Sequence, residues 1–268
     1  MLSQVIKGYL YKYSHLTLFK MGFFILVVVS LFFTYQNIQV INAIANGNTE
    51  ILMLEDTTSQ LTEFQTVRDA ILSSPYQSSI LFLPILFALI LSTEYKFGQE
   101  SLTKLLTPKW QTVLTGQICS GIIVSSTLTV VLSLINSAML YAMLDETLQN
   151  YLNIGLILEV TLRIIIFSIT MTLLSMFLVK ITRKPIPSVI IIVSILVITL
   201  SGILKVVSPT LENLLPLIGA KSFAFGRVEN NNPSEMYGLL LLLSQAAIVT
   251  IMMYIKAWYK NKKEKKHG

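Results

Sequence analysis

Apolar residues run almost unbroken through six stretches of the chain, roughly 21 to 41, 77 to 93, 113 to 143, 154 to 179, 186 to 204 and 235 to 257. Each is near the length of about 20 residues that a helix needs to cross the hydrocarbon of a bilayer. Because the runs are continuous and do not alternate, they predict spanning helices rather than the strands of a barrel. Ahead of the first run, Leu2, Val5, Ile6, Tyr9, Leu10, Tyr13 and Leu16 recur at spacings of three and four, with Lys7, Lys12 and His15 elsewhere. That spacing predicts an amphipathic helix over residues 1–20, lying in the inner interface and leading into the first span like an elbow. The expected fold is all-α: a polytopic membrane protein with six transmembrane helices. It forms one domain, with the elbow at 1–20, a six-span core at 21–257 and a basic tail at 258–268.

Composition agrees with this class. The chain is 53% hydrophobic and only 13% charged, with a mean hydropathy of +0.69, against roughly 25% charged residues in soluble domains. Charge placement then orients it. With both termini cytoplasmic, Lys7, Lys12, Lys20, Lys96, Lys104, Lys109, Lys180, Arg183, Lys184 and the six lysines from Lys256 to Lys266 lie inside, 15 of the 20 basic residues. Arg68, Lys205, Lys221 and Arg227 fall in outer loops and Arg163 in a span. This asymmetry follows the positive-inside rule and suits a bacterial cytoplasmic membrane. The pI near 9.3 therefore needs no nucleic acid, and no basic groove with interleaved aromatics accompanies it. The basic start, the run from Met21 to Phe33 and the "AIA" at Ala43 to Ala45 imitate a secretory signal. The twenty residues ahead of the run are too long and too patterned for an ordinary leader, so it is expected to remain as the first span.

Catalytic chemistry has little to work with. His15 and His267 are the only histidines and both lie near cytoplasmic ends, so neither an intramembrane Ser-His pair nor a His metal cluster can be assembled. Cys119 is the single cysteine, which removes internal disulfides and thiolate metal sites. Asp56, Asp69 and Asp145 all fall in predicted outer loops, leaving no aspartate dyad in the membrane. "GAKS" at Gly219 to Ser222 resembles a phosphate loop, but the glycine that should precede the lysine is Ala220. No metal site and no bound cofactor are expected in this chain, and any ATP must be held by another.

Between the second and third spans lies "STEYKFGQESLTKLLTPKWQ". Gly98 ends the continuation of the span and Pro108 stops the next helix. Between them Leu102, Leu105 and Leu106 share one face of that short helix, whose other positions offer Glu100, Ser101, Thr103 and Lys104. Such a helix either rests on the membrane or inserts into a cytoplasmic partner. "EYKFGQESLTKLLTP", directly after an apolar span, resembles the signature of type-2 permeases of ATP-binding-cassette exporters. The likeness extends to the amphipathic helix ahead of the first span, six spans with both ends inside, and a partly apolar loop before the last. Gln99 stands where threonine is common, and Gln117 where a basic residue often begins the third span. The resemblance implies that residues 100–106 form a short cytoplasmic coupling helix and that Glu94, Tyr95 and Gly98 carry its joint to the span. It also implies cytoplasmic ATPase subunits holding ATP and magnesium, and a second permease as partner.

The spans show what a pathway would be built from. Ser125, Thr129, Ser133 and Ser137 repeat every four residues along the third, with Asn136 beside the last, so one face is small and polar. It can be a close-packing seam or the lining of a polar route. Glu159 and Arg163, four apart near the outer end of the fourth span, can neutralise each other or act as a gating pair. No other span carries a charge well inside hydrocarbon, which argues against a proton- or sodium-driven carrier. Outside, Leu61, Phe64, Val67 and Ile71 at helical spacing predict a short acidic amphipathic helix within residues 42–76. "LENLLPLIGA", within 206–233, is too short to span and too apolar for a solvated loop, so it is read as a segment that dips back before the last span. The expected function is export of a hydrophobic or amphipathic cargo, most readily a peptide such as a bacteriocin. A drug or lipid exporter of the same family and a non-transporting scaffold or sensor are the alternatives.

Overall fold

The structure, a computed structural model, describes residues 1–45, 63–96, 109–225 and 234–267 together with Gln99 and Thr103. Those residues are almost entirely helical, and no strand occurs among them. In chain order the helices are α1 (Leu2–His15), α2 (Thr17–Ala45), α3 (Glu63–Lys96), α4 (Trp110–Met143), α5 (Glu146–Gln149), α6 (Ile154–Thr182), α7 (Pro185–Leu200), α8 (Ile203–Val207), α9 (Pro209–Asn213), α10 (Pro216–Phe225) and α11 (Glu235–His267). Five of them, α2, α3, α4, α6 and α11, are long and apolar enough to cross a membrane. The predicted segment at 186–204 forms α7, which at 16 residues is about 24 Å long, short of the roughly 30 Å of hydrocarbon.

The pair α3 and α6 makes the centre. They pack against each other, with α2 and α4 on α3, α4 and α11 on α6, and α7 against both. Both are far more enclosed by their neighbours than α2 or α11. Leu83, Phe87, Ile90, Ile164 and Phe167 are almost wholly enclosed. The outer helices leave one side uncovered, as at Phe24, Val28 and Phe32 on α2 and at Ile190 and Val197 on α7, as expected of surfaces that meet lipid.

Two expectations change. Residues 63–76 are not a separate acidic helix over the surface; they are the first turns of α3, so Arg68 and Asp69 are helical rather than in a loop. Pro75 lies inside this helix, where a proline removes one amide and crowds the preceding turn. Here packing outweighs that cost. Val67, Ile71 and Leu72 are fully buried, and Asn37 of α2 donates through Nδ2 to Ser73 Oγ (2.8 Å) and Ser74 Oγ (2.9 Å). The second change concerns α1, whose apolar stripe faces protein. Tyr9 and Tyr13 are buried, Ser120 Oγ of α4 donates to Ile6 O at 3.4 Å, and a Cβ built on Gly116 would lie 2.5 Å from Val5 Cγ1. The glycine lets α1 lie directly against α4.

The chain between α7 and α11 is a folded-back element. Gly202, at φ 65°, turns the chain after α7. Beyond α8 and α9, α10 lies against α11, with Gly219 and Gly238 at their crossing. Gly98, Glu100, Leu102, Leu105 and Leu106, where the coupling helix is expected, lie outside the described residues.

Candidate functional site

The polar chemistry of the bundle is concentrated at its two ends and along one interior seam. At the first end, Glu94 sits in the last turn of α3 with only 6% of its surface exposed. An isolated carboxylate would not stay charged in such a place. Its Oε1 accepts from Lys12 Nζ of α1 at 3.1 Å and its Oε2 from Gln117 Nε2 of α4 at 2.8 Å. Gln117 is buried too, and its Oε1 accepts from Lys180 Nζ of α6. One carboxylate and one amide therefore tie four helices together through charge-assisted contacts, the strong class of hydrogen bond. The position where a basic residue was expected holds a neutral amide, and Lys180 brings a cation to that amide from the next helix. Tyr95, beside Glu94, is partly buried against the core.

Tyr13 lies next to this knot. It is 1% exposed, and its hydroxyl has no hydrogen-bond partner among the described residues. Burial, then the nearby charge of Glu94, holds its pKa well above the ordinary phenol value. Below pH of about 10 both folded and unfolded chains keep the proton. Above it the unfolded chain ionises while the folded one does not, so stability falls as pH rises. Tyr13→Phe is expected to raise stability at pH 7 by about 1 kcal/mol, by removing a buried unsatisfied hydroxyl, and to flatten the decline above pH about 10. Thermal unfolding in detergent across pH checks both; a Phe variant as steep as the parent would refute the assignment.

Ser125, Thr129, Ser133, Asn136 and Ser137 of α4 are all buried between helices. Thr129 Oγ1 donates to Ser168 Oγ of α6 at 2.9 Å, and Ser133 Oγ is hydrogen-bonded to Thr161 Oγ1 of α6 at 2.6 Å. Asn136 is the hub: it donates to Ser30 Oγ of α2 at 2.6 Å and accepts from Thr34 Oγ1 at 2.8 Å. Ser78 Oγ of α3 joins at Ser30 Oγ, 3.2 Å away. Ser125 is held by its own helix at Ile122 O, and the buried Ser137 hydroxyl has no partner among the described residues. In this conformation the stripe is a packing seam, with small side chains allowing close approach and hydroxyls satisfying one another.

At the opposite end, Glu159 and Arg163 pair as their spacing predicts, with Arg163 Nη2 at 3.0 Å from Glu159 Oε1. They belong to a larger cluster. Arg163 Nη1 also donates to Phe223 O of α10 at 2.6 Å and meets Glu235 Oε1 of α11 at 2.5 Å. Its guanidinium stands 5.3 Å from the centre of the Phe223 ring. Arg68 of α3 reaches the same place. Its Nη1 donates to Phe225 O at 3.1 Å, and its Nη2 lies 3.5 Å from Ala224 O and 3.7 Å from Glu159 Oε1. Beneath them, the Tyr76 ring packs edge-on against Phe225 at 5.5 Å.

Comparison of the chain with protein-family models, with curated proteins and with solved structures yields no match. The reading of the site rests on its own geometry. Among the described residues, no three His, Cys, Asp or Glu side chains gather where a metal could be held. Lys12 with Glu94, Arg68 with Glu159 and Arg163 with Glu235 pair across helices, an arrangement that fixes helices relative to one another.

Sequence reasoning finds Glu94 but misses Lys12, Gln117 and Lys180 as its partners, and it finds Glu159 and Arg163 but misses Arg68 and Glu235. One signal exists for the first set. A carboxylate ending an apolar span needs a cation, and charge placement puts Lys12 and Lys180 on the same membrane face. For Arg68 the signal is masked by its expected place in a loop.

Proposed function

We propose that the chain is the permease half of an ATP-driven exporter. It works with a second permease, the same chain or a similar one, and with two cytoplasmic ATPase subunits that hold ATP and magnesium. The observation that carries the reading is Glu94: a buried carboxylate, tied to α1 and α4 directly and to α6 through Gln117, in the last turn of a central helix just before the amphipathic segment that the resemblance makes a coupling helix. A push on that segment would reach four helices together. A segment resting idly on a membrane would need no such joint.

In this reading the lysine-rich end, with Glu94, is cytoplasmic, α1 is the interfacial elbow and the Arg68 end is outer. Six crossings are completed by α7 together with α8, whose exposed apolar side chains Leu200, Val206 and Val207 suit hydrocarbon. Gln245 Nε2 donates to Leu214 O at 2.6 Å. Gln245 lies ten residues into α11, about 15 Å along it, so the start of α10 reaches roughly half the bilayer depth, as a re-entrant element would. The cargo is hydrophobic or amphipathic, with an amphipathic peptide the first candidate.

The test replaces Leu102 and Leu105 with aspartate in the full chain expressed with its ATPase. Burying one Leu is worth roughly 1.5–3 kcal/mol, and a buried unpaired carboxylate costs more. The ATPase is therefore expected to co-purify with the parent and not with the double variant, whose membrane domain still folds. The purified chain alone is expected to hydrolyse no ATP. Co-purification that survives both aspartates would overturn the coupling assignment, and hydrolysis by the chain alone would overturn the division of labour.

A further inference from the structure

Gln4, Lys7, Gly8, Tyr11, Ser14 and His15 of α1 are all exposed. At 3.6 residues per turn they fall within an arc of about 120°, opposite the side that buries Tyr9 and Tyr13. The apolar side of α1 is taken up by α4, so this polar side faces water. Three features set it apart from an ordinary solvated face. Gly8 stands in the middle of the helix, where glycine costs backbone freedom, yet a Cβ there would meet nothing within 4 Å. By contrast, a Cβ on Gly22, Gly116, Gly121, Gly219 or Gly238 would come within 3.0 Å of a neighbour, so those glycines serve contacts inside the chain and Gly8 serves none. One turn further, Tyr11 is 67% exposed but ordered: its ring stacks on His15 at 3.9 Å, and His15 Nδ1 lies 2.9 Å from Tyr11 O. Lys7 makes no ion pair with any described residue, and α1 contains no acidic side chain.

We propose that this face of α1 is a docking surface for the cytoplasmic ATPase: a backbone segment of that subunit sits over Gly8, its side chains cover the Tyr11 ring, and one of its carboxylates stands opposite Lys7. The proposal rests on the exporter reading, and position names the occupant. Lys12, next to Tyr11 in the chain, meets Glu94 at 3.1 Å in the last turn of α3. Helix α1 therefore lies beside the point where the chain leaves for the coupling segment, and a subunit that receives the segment stands next to α1. A missing Cβ suits close approach by another backbone, whereas a lipid surface gains nothing from it. An aromatic already ordered loses little freedom when covered, which favours it as an interface anchor. The glycine that weakens α1 in the chain alone thus strengthens the complex.

The test measures how tightly the ATPase that co-purifies with the parent binds the full chain in lipid nanodiscs, beside the melting temperature of the chain alone. Gly8→Leu should weaken binding about tenfold or more, as overpacking of a tight contact does, without lowering the melting temperature, since a Cβ at this position meets nothing in the chain. Gly8→Ala should raise the melting temperature and still weaken binding. Tyr11→Ala should cost about tenfold or more, the loss typical of an interface anchor, and Lys7→Glu should weaken binding more at low salt than at high salt. Parent-level affinity in Gly8→Leu and Tyr11→Ala would overturn the proposal. A lower melting temperature in Gly8→Leu would show that the chain itself covers this face, and variants that lose only the stabilisation given by phosphatidylglycerol nanodiscs over neutral ones would make it a lipid contact; either result overturns the docking surface. No ATPase on the parent would overturn the exporter reading with it. Binding lost in the Leu102 and Leu105 aspartate variant but kept in every α1 variant would leave that reading standing and remove this one.

Discussion

Glu94→Ala is expected to lower the unfolding temperature sharply and to free α1 from the bundle. The substitution leaves Lys12 Nζ without the Oε1 it meets at 3.1 Å and Gln117 Nε2 without the Oε2 at 2.8 Å. Removing one partner of a buried pair costs about 3–5 kcal/mol when the other charge stays trapped. Lys12 is 22% exposed and can turn toward water, so the cost falls near the lower end, about 3 kcal/mol. Glu94→Gln keeps an acceptor but no charge and should fall between the alanine variant and the parent. The check is thermal unfolding in detergent together with protease cleavage in the α1–α2 junction around Leu16, which should accelerate in the alanine variant. An unchanged melting temperature with intact protection of that junction would show that the knot holds nothing. Because Glu94 also ends the helix that leads to the coupling segment, the exporter reading adds that Glu94→Gln should lose transport well beyond its loss of stability.

The second large effect is expected at Gly238. A Cβ there would sit 2.5 Å from Gly219 O, 2.8 Å from Phe223 N and 3.2 Å from Phe223 Cβ. Two of these are backbone atoms, so no rotamer change relieves the overlap and α10 must move off α11. Overpacking of this kind costs 1–3 kcal/mol where side chains can yield, so Gly238→Val is expected to cost about 3 kcal/mol or more, with Gly238→Ala already destabilising. Gly8 provides the contrast, since a Cβ there meets nothing within 4 Å. Gly8→Ala should stabilise α1 by about 0.5–1 kcal/mol, because alanine loses less backbone freedom in a helix. If Gly238→Ala melts with the parent, the tight crossing of α10 and α11 is wrong.

The long helices were legible because continuous apolarity has one physical outlet in a membrane protein. Residues 113–143 and 154–179 were located almost to their ends as α4 and α6. The start of α3 was not. Local chemistry at Ser73, Ser74 and Pro75 argues for a break, and only the neighbours that bury Val67 and Ile71 keep the helix going; no window of sequence contains those neighbours. The α4 stripe was legible as a polar face, but a serine every four residues does not say whether it meets water or another helix. Ser30, Thr34, Thr161 and Ser168 decide that, and they lie on α2 and α6. The charged clusters follow the same rule. Glu159 and Arg163 share one helix and are visible as a pair, whereas Lys12 and Glu94 are 82 residues apart and meet only through the fold.

Helix α3 is the one element that runs from the Glu94 knot to the Arg68 cluster, 26 residues or about 39 Å, and it carries two internal prolines, Pro75 and Pro84. Each removes an amide that would have bonded four residues back, and so weakens the helix on one side. Nine residues at 3.6 per turn is two and a half turns, which puts the two weak points on opposite faces of the rod. Bends at the two points subtract in tilt and leave a sideways offset. Such a rod carries a displacement from one end of the bundle to the other as shear, with its two ends staying nearly parallel, so the Arg68 end can shift sideways against α10 without the Glu94 end rotating.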